Sequence, residues 1–263
     1  MSYFSKVATT NAERTSWRMN NALEPAHMVT MTSLVSAENL HKKREILRSQ
    51  GRVVPSYTAL VIRAVAITVK HYPEANRAIL GLPFFKQLYQ FSNIDICVAV
   101  EKSLPALPGQ AYAALITKPL EKSIDEITIE LKKLVDSNEQ NDPKYRLFMS
   151  ILKYVPTPLS NLIINITYLH PYFWLKYRGC AAWVNSPSKA GADLVMTTWP
   201  WPLTFSFGKV EKRPLVIEDS VKAALTIPLL LSFDRRIMGG GPASRLFAKF
   251  TEIIETGSDE LFY

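Results

Sequence analysis

Residues 229–247 decide the fold, and they read Leu229-Leu-Leu-Ser-Phe-Asp234-Arg-Arg-Ile-Met-Gly239-Gly-Gly-Pro-Ala-Ser-Arg-Leu-Phe247. The stretch begins with apolar residues that predict the end of a buried strand, which we place over residues 221–232. Three glycines and Pro242 follow and predict a tight turn. A helix is predicted over residues 242–256, because apolar residues recur on one side of it at helical spacing. Asp234, Arg235 and Arg236 therefore lie at a junction between a strand and a helix.

Two helices upstream are predicted from their boundaries. Ser56 is a suitable N-cap for residues 57–71, which carry apolar residues on nearly every face, and Pro73 prevents that helix from continuing. Ser123 and Glu126 form a capping-box pattern before a second helix. The other predicted elements are a helix over residues 37–49 and strands over residues 27–35, 94–100, 111–117, 194–198 and 203–209. The fold class is α/β, in the mixed α+β sense.

Composition excludes several classes of protein. The chain has 263 residues, of which 48% are hydrophobic, which is enough to bury a core and too many for a disordered chain. Two cysteines, Cys97 and Cys180, cannot form a disulfide framework or a thiolate zinc cage. Residues 1–20 lack the apolar run of a secretory signal. We therefore expect a cytoplasmic protein, in a reducing compartment.

The charge balance favours a small anionic ligand. The formal net charge is +8, which attracts phosphate or carboxylate groups. The basic residues are scattered, however, and no strip of basic residues interleaved with aromatic ones is present, although Lys42-Lys43-Arg44 forms a short run. Nucleic acid is therefore not expected as a partner.

Residues 145–177 form an unusual segment. Large apolar and aromatic side chains are interrupted by Pro156, Pro158 and Pro171, so no apolar run is long enough to span a bilayer. The simplest interpretation is a pair of helices that covers a face of the core. The alternatives are a hairpin that makes an oligomer contact and a peripheral contact with a membrane surface.

The junction resembles the active-site region of the dihydrolipoyl acyltransferases of 2-oxoacid dehydrogenase complexes, which are related to the chloramphenicol acetyltransferases. That family carries a strand ending in Ser-Phe-Asp-His-Arg, then two apolar residues, Asp or Asn, Gly and a helix. Residues 56–66, followed by Tyr72-Pro-Glu-Ala-Asn76, are similar to its buried helix and Pro-x-x-Asn exit, and residues 93–100 are similar to its next strand. Order and spacing agree from about residue 14 to residue 256, least well over residues 134–193.

This resemblance implies a chloramphenicol acetyltransferase-like, coenzyme A-dependent acyltransferase fold, with a mixed sheet flanked by helices. It also implies a homotrimer or a larger shell, since the family places its active channel between subunits, and a partner enzyme in a complex. We expect one acyltransferase-type domain over residues 1–263, with residues 136–193 as a divergent segment within it. Lipoyl and subunit-binding domains are not expected in this chain.

The motif departs from the family at its catalytic positions. Arg235 stands where the family has the histidine that removes a proton from a thiol, and a guanidinium cannot be that base because it stays protonated. Gly239 replaces the Asp or Asn that the family ties to an arginine near the start of the domain, which corresponds to Arg14 here. The paired loss predicts a catalytically degenerate protein, a pseudoenzyme.

Another base would have to come from outside the junction. Of the four histidines, His41 and His71 are expected to be structural or solvated. His27 begins a predicted strand and is a candidate for the side of a channel. His170 lies in a segment that cannot be assigned to an element of the family's fold. His170 is the main candidate among them.

The resemblance also implies a hydroxyl group that stabilises an oxyanion. Thr197 is the candidate and Thr198 its neighbour, although a threonine also simply suits a strand. Trp199-Pro-Trp-Pro202 replaces the glycine-rich loop usual at this point and is expected to narrow a channel. Both cysteines are assigned structural roles, with Cys180 the more exposed of the two.

Two functions follow from these observations. The first is a structural or ligand-binding oligomeric component without acyl transfer. The second is an active acyltransferase, dependent on a coenzyme A or lipoyl thioester, with a rebuilt site. Coenzyme A or an acyl thioester is the expected ligand in both, with Arg235 and Thr198 as its contacts, and no metal is expected.

Overall fold

The structure is a computed structural model, and it describes Asn11 and residues 27–82, 84–104, 107–188, 191–197 and 199–263. Two residues singled out in the sequence, Arg14 and Thr198, lie outside the described residues.

The described residues form seven α-helices and nine strands. The helices are α1 (Glu38–Ser49), α2 (Tyr57–His71), α3 (Ile124–Val135), α4 (Pro143–Tyr154), α5 (Thr157–Leu169), α6 (Pro171–Arg178) and α7 (Gly240–Thr256). The strands are β1 (Met28–Ser36), β2 (Arg77–Leu80), β3 (Gln87–Gln90), β4 (Ile96–Leu104), β5 (Leu107–Ile116), β6 (Ala182–Asn185), β7 (Leu203–Phe207), β8 (Glu211–Ile217) and β9 (Ser220–Asp234).

Seven of these strands form one sheet in the order β1-β9-β7-β6-β4-β5, with β8 also paired to β9. The pairs β4–β6 and β6–β7 are parallel, whereas β1–β9, β7–β9 and β4–β5 are antiparallel. β2 and β3 form a separate two-stranded sheet. The predicted mixed sheet with flanking helices is therefore confirmed.

The helix α2 is buried on all sides, as its apolar sequence predicts. All of residues 59–69 are buried. The Ser56 side chain accepts a hydrogen bond from the backbone N–H of Ala59 and so caps the helix. Arg63 is the charged residue within this buried stretch, and its guanidinium donates to the backbone carbonyls of Pro119 and Lys122. The second predicted boundary, the capping box of Ser123 and Glu126, is also confirmed.

The two faces of the large sheet bury different residues. One face packs against α1, α2, α3 and α7 around a core of aliphatic and phenylalanine side chains. The other face carries a cluster rich in tryptophan, with Trp174, Trp183 and Trp201 packed beside Cys97 and Cys180. Since successive residues of a strand point to opposite faces, Cys97 and Val98 belong to different clusters.

Two sequence predictions need correction. Residues 145–177 form parts of three helices rather than two, because Pro156 is the N-cap of one new helix and Pro171 is the first residue of another. Residues 194–197 form no strand, although β-branched residues are frequent there. Within the part of the chain that the structure describes, no helix has both the length and the apolar character needed to cross a membrane.

Candidate active site

The strand β9 ends at Asp234, and the two arginines that follow it make different contacts. Asp234 is buried, and its carboxylate accepts hydrogen bonds from Nε and Nη2 of Arg236, the shorter at 2.7 Å. Arg235 is exposed and forms no ion pair within the described residues. The carboxylates of Asp234 and Asp193 are instead paired with Arg236 and Arg213. Within the part of the chain that the structure describes, the guanidinium of Arg235 is therefore open to an external anion.

A histidine lies beside Arg235 in the fold. The backbone N–H of Arg235 donates a 3.0 Å hydrogen bond to the carbonyl oxygen of His27. This contact extends the antiparallel pairing of β1 and β9, in which Met28 is opposite Asp234. His27 rather than His170 is thus the histidine that the fold brings to the degenerate motif.

Gly239 is the N-cap residue of α7. Its φ of −75° is accessible to any residue, and a Cβ added there would meet no atom of the described residues within 4 Å. The helix consequently starts without a hydrogen bond from a capping side chain. Nothing steric excludes an Asp or Asn at this position, so the glycine is not required by the local packing.

Thr197 is half-buried and lies outside the strands. Its hydroxyl oxygen accepts a 3.3 Å hydrogen bond from the side-chain amide of Asn185, the last residue of β6. The expectation that Thr197 sits on a strand is therefore wrong. The sequence analysis did not predict a role for Asn185. A polar residue that closes a short buried apolar stretch is a signal of a strand end that could have found it.

The other histidines are placed away from the motif. His170 is exposed at the N-cap of α6, where its Nδ1 accepts a 3.2 Å hydrogen bond from the backbone N–H of Tyr172. His41 lies on α1, with Nε2 3.9 Å from a carboxylate oxygen of Glu45. His71 is the last residue of α2 and is exposed. The contact made by His170 is structural, and no hydrogen bond joins it to Arg235 or Gly239.

Both cysteines are buried. Cys180 is 1% exposed, its thiol donates to the carbonyl of Asn93, and burial raises the pKa of this thiol to about 12. Burial also raises the pKa of Cys97. The expectation of a more exposed Cys180 is therefore wrong, because α6 and Trp201 pack over it. Neither thiol is prepared to act as a nucleophile.

A cavity of about 1140 Å³ lies away from the motif, between β5 and helices α3 to α6. Trp199 and Trp201 line it, whereas the narrowing of a substrate channel by these residues stays a prediction. Arg235 and Gly239 are absent from its lining. No group of His, Cys, Asp or Glu side chains suited to hold a metal ion is found among the described residues.

Comparison with known proteins connects this geometry to a family. Residues 5–146 match the family of 2-oxoacid dehydrogenases acyltransferase (catalytic domain). The dihydrolipoyllysine-residue acetyltransferase component of the pyruvate dehydrogenase complex of Zymomonas mobilis is 24% identical over 200 residues. That alignment covers 76% of this chain and 37% of the relative, so the chain matches little more than a third of the relative's length.

Solved structures show the same fold. The dihydrolipoamide acetyltransferase of Azotobacter vinelandii, studied for the catalytic roles of a serine, a histidine and an asparagine, superposes with a TM-score of 0.71 at 16% identity, covering 99% of this chain and 95% of that one. The cubic core of a pyruvate dehydrogenase multienzyme complex gives a TM-score of 0.70 at 16% identity, with the same coverage. A chloramphenicol acetyltransferase gives 0.51 at 13% identity, covering 93% and 94% of the two chains. Since the family match spans more than half of the sequence, the chain belongs to the 2-oxoacid dehydrogenase acyltransferase family, on the chloramphenicol acetyltransferase-like fold.

Proposed function

We propose that the protein is a catalytically degenerate acyltransferase that serves as a structural or ligand-binding component of an oligomer. The observation that carries this proposal is the pair Arg235 and Gly239, set in a frame that is otherwise intact. The strand β9, the Asp234–Arg236 ion pair and α7 are all in place. In the Azotobacter relative, the histidine and asparagine studied for catalysis stand four positions apart, as Arg235 and Gly239 do here.

A restored variant tests this proposal. The double substitution Arg235→His with Gly239→Asn places the family's side chains at these positions, and the open space at Gly239 accommodates the second one. We expect the wild-type chain to transfer acetyl groups between coenzyme A and dihydrolipoamide no faster than the uncatalysed background. A general base contributes about 10²–10⁴ to a rate, so the double variant is expected to rise above background. Robust wild-type turnover that survives Arg235→Ala would overturn the proposal.

The position of His27 favours a second function, an active acyltransferase with a rebuilt site. The contact with Arg235 is made by the backbone carbonyl of His27, and in this second function the imidazole of His27 supplies the base that Arg235 cannot. The matched variants are His27→Ala and His170→Ala, since His170 only caps a helix. Thioester-dependent transfer that is lost in the first variant and kept in the second would establish this function.

Coenzyme A or an acyl thioester is the ligand we propose for either function. Arg235 is exposed and without an ion pair in the described structure, so its guanidinium can hold a phosphate through two parallel hydrogen bonds. Calorimetry at low and high salt measures this binding. We expect salt-sensitive affinity that weakens in Arg235→Ala and is unchanged in Arg146→Ala, an exposed arginine on α4. If calorimetry detects no heat of binding at millimolar coenzyme A, the ligand-binding role is excluded and only the structural role is left.

We further propose that the chain is a single acyltransferase-type domain that assembles as a homotrimer or a larger shell in the cytoplasm. The exposed apolar residues Leu159 and Leu162 on α5, at 54% and 62% exposure, support a buried contact between copies. Assembly of the related cubic core supports it further. Light scattering is expected to give an oligomer that Leu159→Glu with Leu162→Glu dissociates. A monodisperse wild-type monomer at micromolar concentration would contradict the assembly.

A further inference from the structure

The cavity beside β5 has the volume and the lining of a ligand site. Its volume of about 1140 Å³ slightly exceeds the range for small-molecule pockets, roughly 300–1,000 Å³. Ala111, Tyr112, Ala113 and Leu115 of β5 form one wall, and the two alanines are small enough to leave space above the sheet. The facing wall is formed by aliphatic side chains of α4 and α5, namely Leu147, Ile151, Ile163, Ile164 and Ile166. Such walls suit a hydrocarbon chain.

One end of this cavity carries a cation without a carboxylate partner. Arg178, the last residue of α6, is half-buried, and its Nε donates to the hydroxyl of Thr167 at 2.8 Å. The guanidinium lies over the rings of Tyr168, Trp174 and Trp201, at 4.7 to 5.5 Å from their centroids. Within the described residues it forms no ion pair. A positive charge held against aromatic rings in an apolar cavity favours a negatively charged ligand group.

Two indole donors lie close to this cation. Trp183 is 1% exposed, and its ring stacks against Trp199 and Trp201 at centroid distances of 4.8 and 4.4 Å. The Nε1–H groups of Trp183 and Trp199 are buried, and neither finds an acceptor in the part of the chain that the structure describes. Buried donors without an acceptor cost free energy, so this end of the cavity has two polar groups that the described residues leave unsatisfied.

Charges elsewhere on the lining do not cancel this preference. Glu130 is paired with Lys122, and the carboxylate of Asp142 accepts from the backbone N–H groups that begin α4. Lys133, Lys144 and Lys176 are exposed lining residues that form no ion pair within the described residues, and the exposed carboxylate of Asp136 on the lining forms none there either. With Arg178 the lining has four cationic side chains against the three carboxylates of Glu130, Asp136 and Asp142, so its balance favours an anion.

We propose that this cavity binds a long-chain carboxylate, with its carboxylate on Arg178 near Trp183 and Trp199, and its chain between β5 and the helices α4 and α5. The inference is independent of the proposed function, because Arg235 and Gly239 do not line the cavity. The ligand is one molecule with a single hydrocarbon chain and one carboxylate.

Titration of the full chain with palmitate tests the proposal, because the tryptophans that line the cavity report binding through their fluorescence. We expect saturable binding, and in a series from octanoate to palmitate the affinity is expected to rise about fourfold for each added methylene. Hexadecanol, which has no charge, is expected to bind at least tenfold more weakly than palmitate.

Two pairs of variants locate the ligand. Arg178→Gln removes the proposed carboxylate contact, and Arg146→Gln is its control on α4, outside the lining. Ile164→Trp fills the cavity, and Asn165→Trp is its control at an exposed position of the same helix, outside the lining. Palmitate affinity is expected to fall at least tenfold in Arg178→Gln and Ile164→Trp and to stay within twofold of wild type in both controls. Thermal melts verify that all four variants are folded.

Several outcomes would overturn the assignment. The cavity is not the site if palmitate fails to saturate the chain, or if Ile164→Trp and Asn165→Trp bind it equally. Equal affinity for hexadecanol and palmitate would show that the carboxylate does not contribute to binding, which contradicts its proposed contact with Arg178. Adsorption of the protein to phosphatidylglycerol vesicles without binding of monomeric palmitate would assign the apolar helices to a membrane surface instead.

Discussion

The guanidinium of Arg236 and the carboxylate of Asp234 form hydrogen bonds through Nε and Nη2, although the two residues are separated in the chain only by Arg235. Asp234 has a side chain that is 9% exposed, against 38% for that of Arg236. The buried carboxylate of Asp234 therefore depends on Arg236 to compensate its negative charge. The two adjacent arginines have different roles, since one stabilises the strand end and the other faces solvent.

Arg236→Ala is expected to lower the free energy of unfolding by about 1 to 2 kcal/mol, because it leaves a buried carboxylate without its cation and the arginine is itself partly solvated. Arg235→Ala is the matched control and is expected to change that free energy by less than about 0.5 kcal/mol. Urea denaturation of both variants measures the difference. Equal effects would show that the Asp234–Arg236 pair does not stabilise the fold.

Replacement of the glycine at each end of α7 is expected to change the free energy of unfolding in opposite directions. Gly239→Asn adds a capping side chain in open space, and we expect a gain of a few tenths of a kcal/mol. Gly257 has a φ of 59°, and a Cβ there would approach Asn39 at 3.1 Å, so Gly257→Ala is expected to cost about 1 kcal/mol or more. Thermal melts of the two variants are predicted to shift in opposite directions.

Alkaline pH is expected to destabilise the protein through its thiols. The folded state holds the Cys180 proton up to a pKa of about 12, whereas the ordinary value is 9.0. The unfolded chain then binds fewer protons than the folded chain, so the free energy of unfolding is intact below about pH 9 and falls between about pH 9 and 12. Each such thiol contributes a slope of about 1.4 kcal/mol per pH unit.

Cys180→Ala is expected to reduce that slope, and urea melts at a series of pH values measure it. Iodoacetamide supplies a second measurement, because the folded chain is expected to resist alkylation at pH 8 while the unfolded chain reacts at both cysteines. Rapid alkylation of the folded wild-type chain would contradict the burial of Cys180.

Two fully buried threonines differ in their hydrogen bonds. The hydroxyl of Thr68 donates to the carbonyl of Ala64 at 2.7 Å, whereas that of Thr204 on β7 finds no partner among the described residues. Thr204→Val removes an unsatisfied polar atom and is expected to raise the free energy of unfolding by about 1 kcal/mol. Thr68→Val removes a satisfied one and is expected to give no gain. A stabilisation of both variants by the same amount would contradict this account.

Elements with strong local signals were predictable from the sequence. The helix α2 is apolar on nearly every face and carries its own N-cap and stop, and α3 opens with a capping box. The strand β6 has only four residues, too few to show a period, so it was missed. Residues 194–198 have the composition of a strand, but the prolines at 200 and 202 interrupt the stretch that follows, and the described residues 194–197 join no ladder.

The candidate site was predictable only where it lies in one stretch. Arg235 and Gly239 are read directly from the motif, whereas the contact of Arg235 with His27 joins opposite ends of the chain and depends on the pairing of β1 with β9. The cavity draws its lining from a strand, four helices and the Trp199–Trp201 turn. Arg178 carried no sequence signal of its own, since its surroundings are assembled only by the packing of α6 on the sheet.

The position of β9 between β1 and β7 bears on how the chain is made. In the described sheet β1 has β9 as its neighbour, and their paired residues Thr30 and Ser232 are 202 positions apart. A ribosome adds that length in roughly 10 to 40 s, at about 5–20 residues per second. During this interval β1 presents unpaired backbone groups to other nascent chains. Protection of that early strand, by a chaperone or by contacts within the growing chain, is therefore part of what this topology requires of the cell.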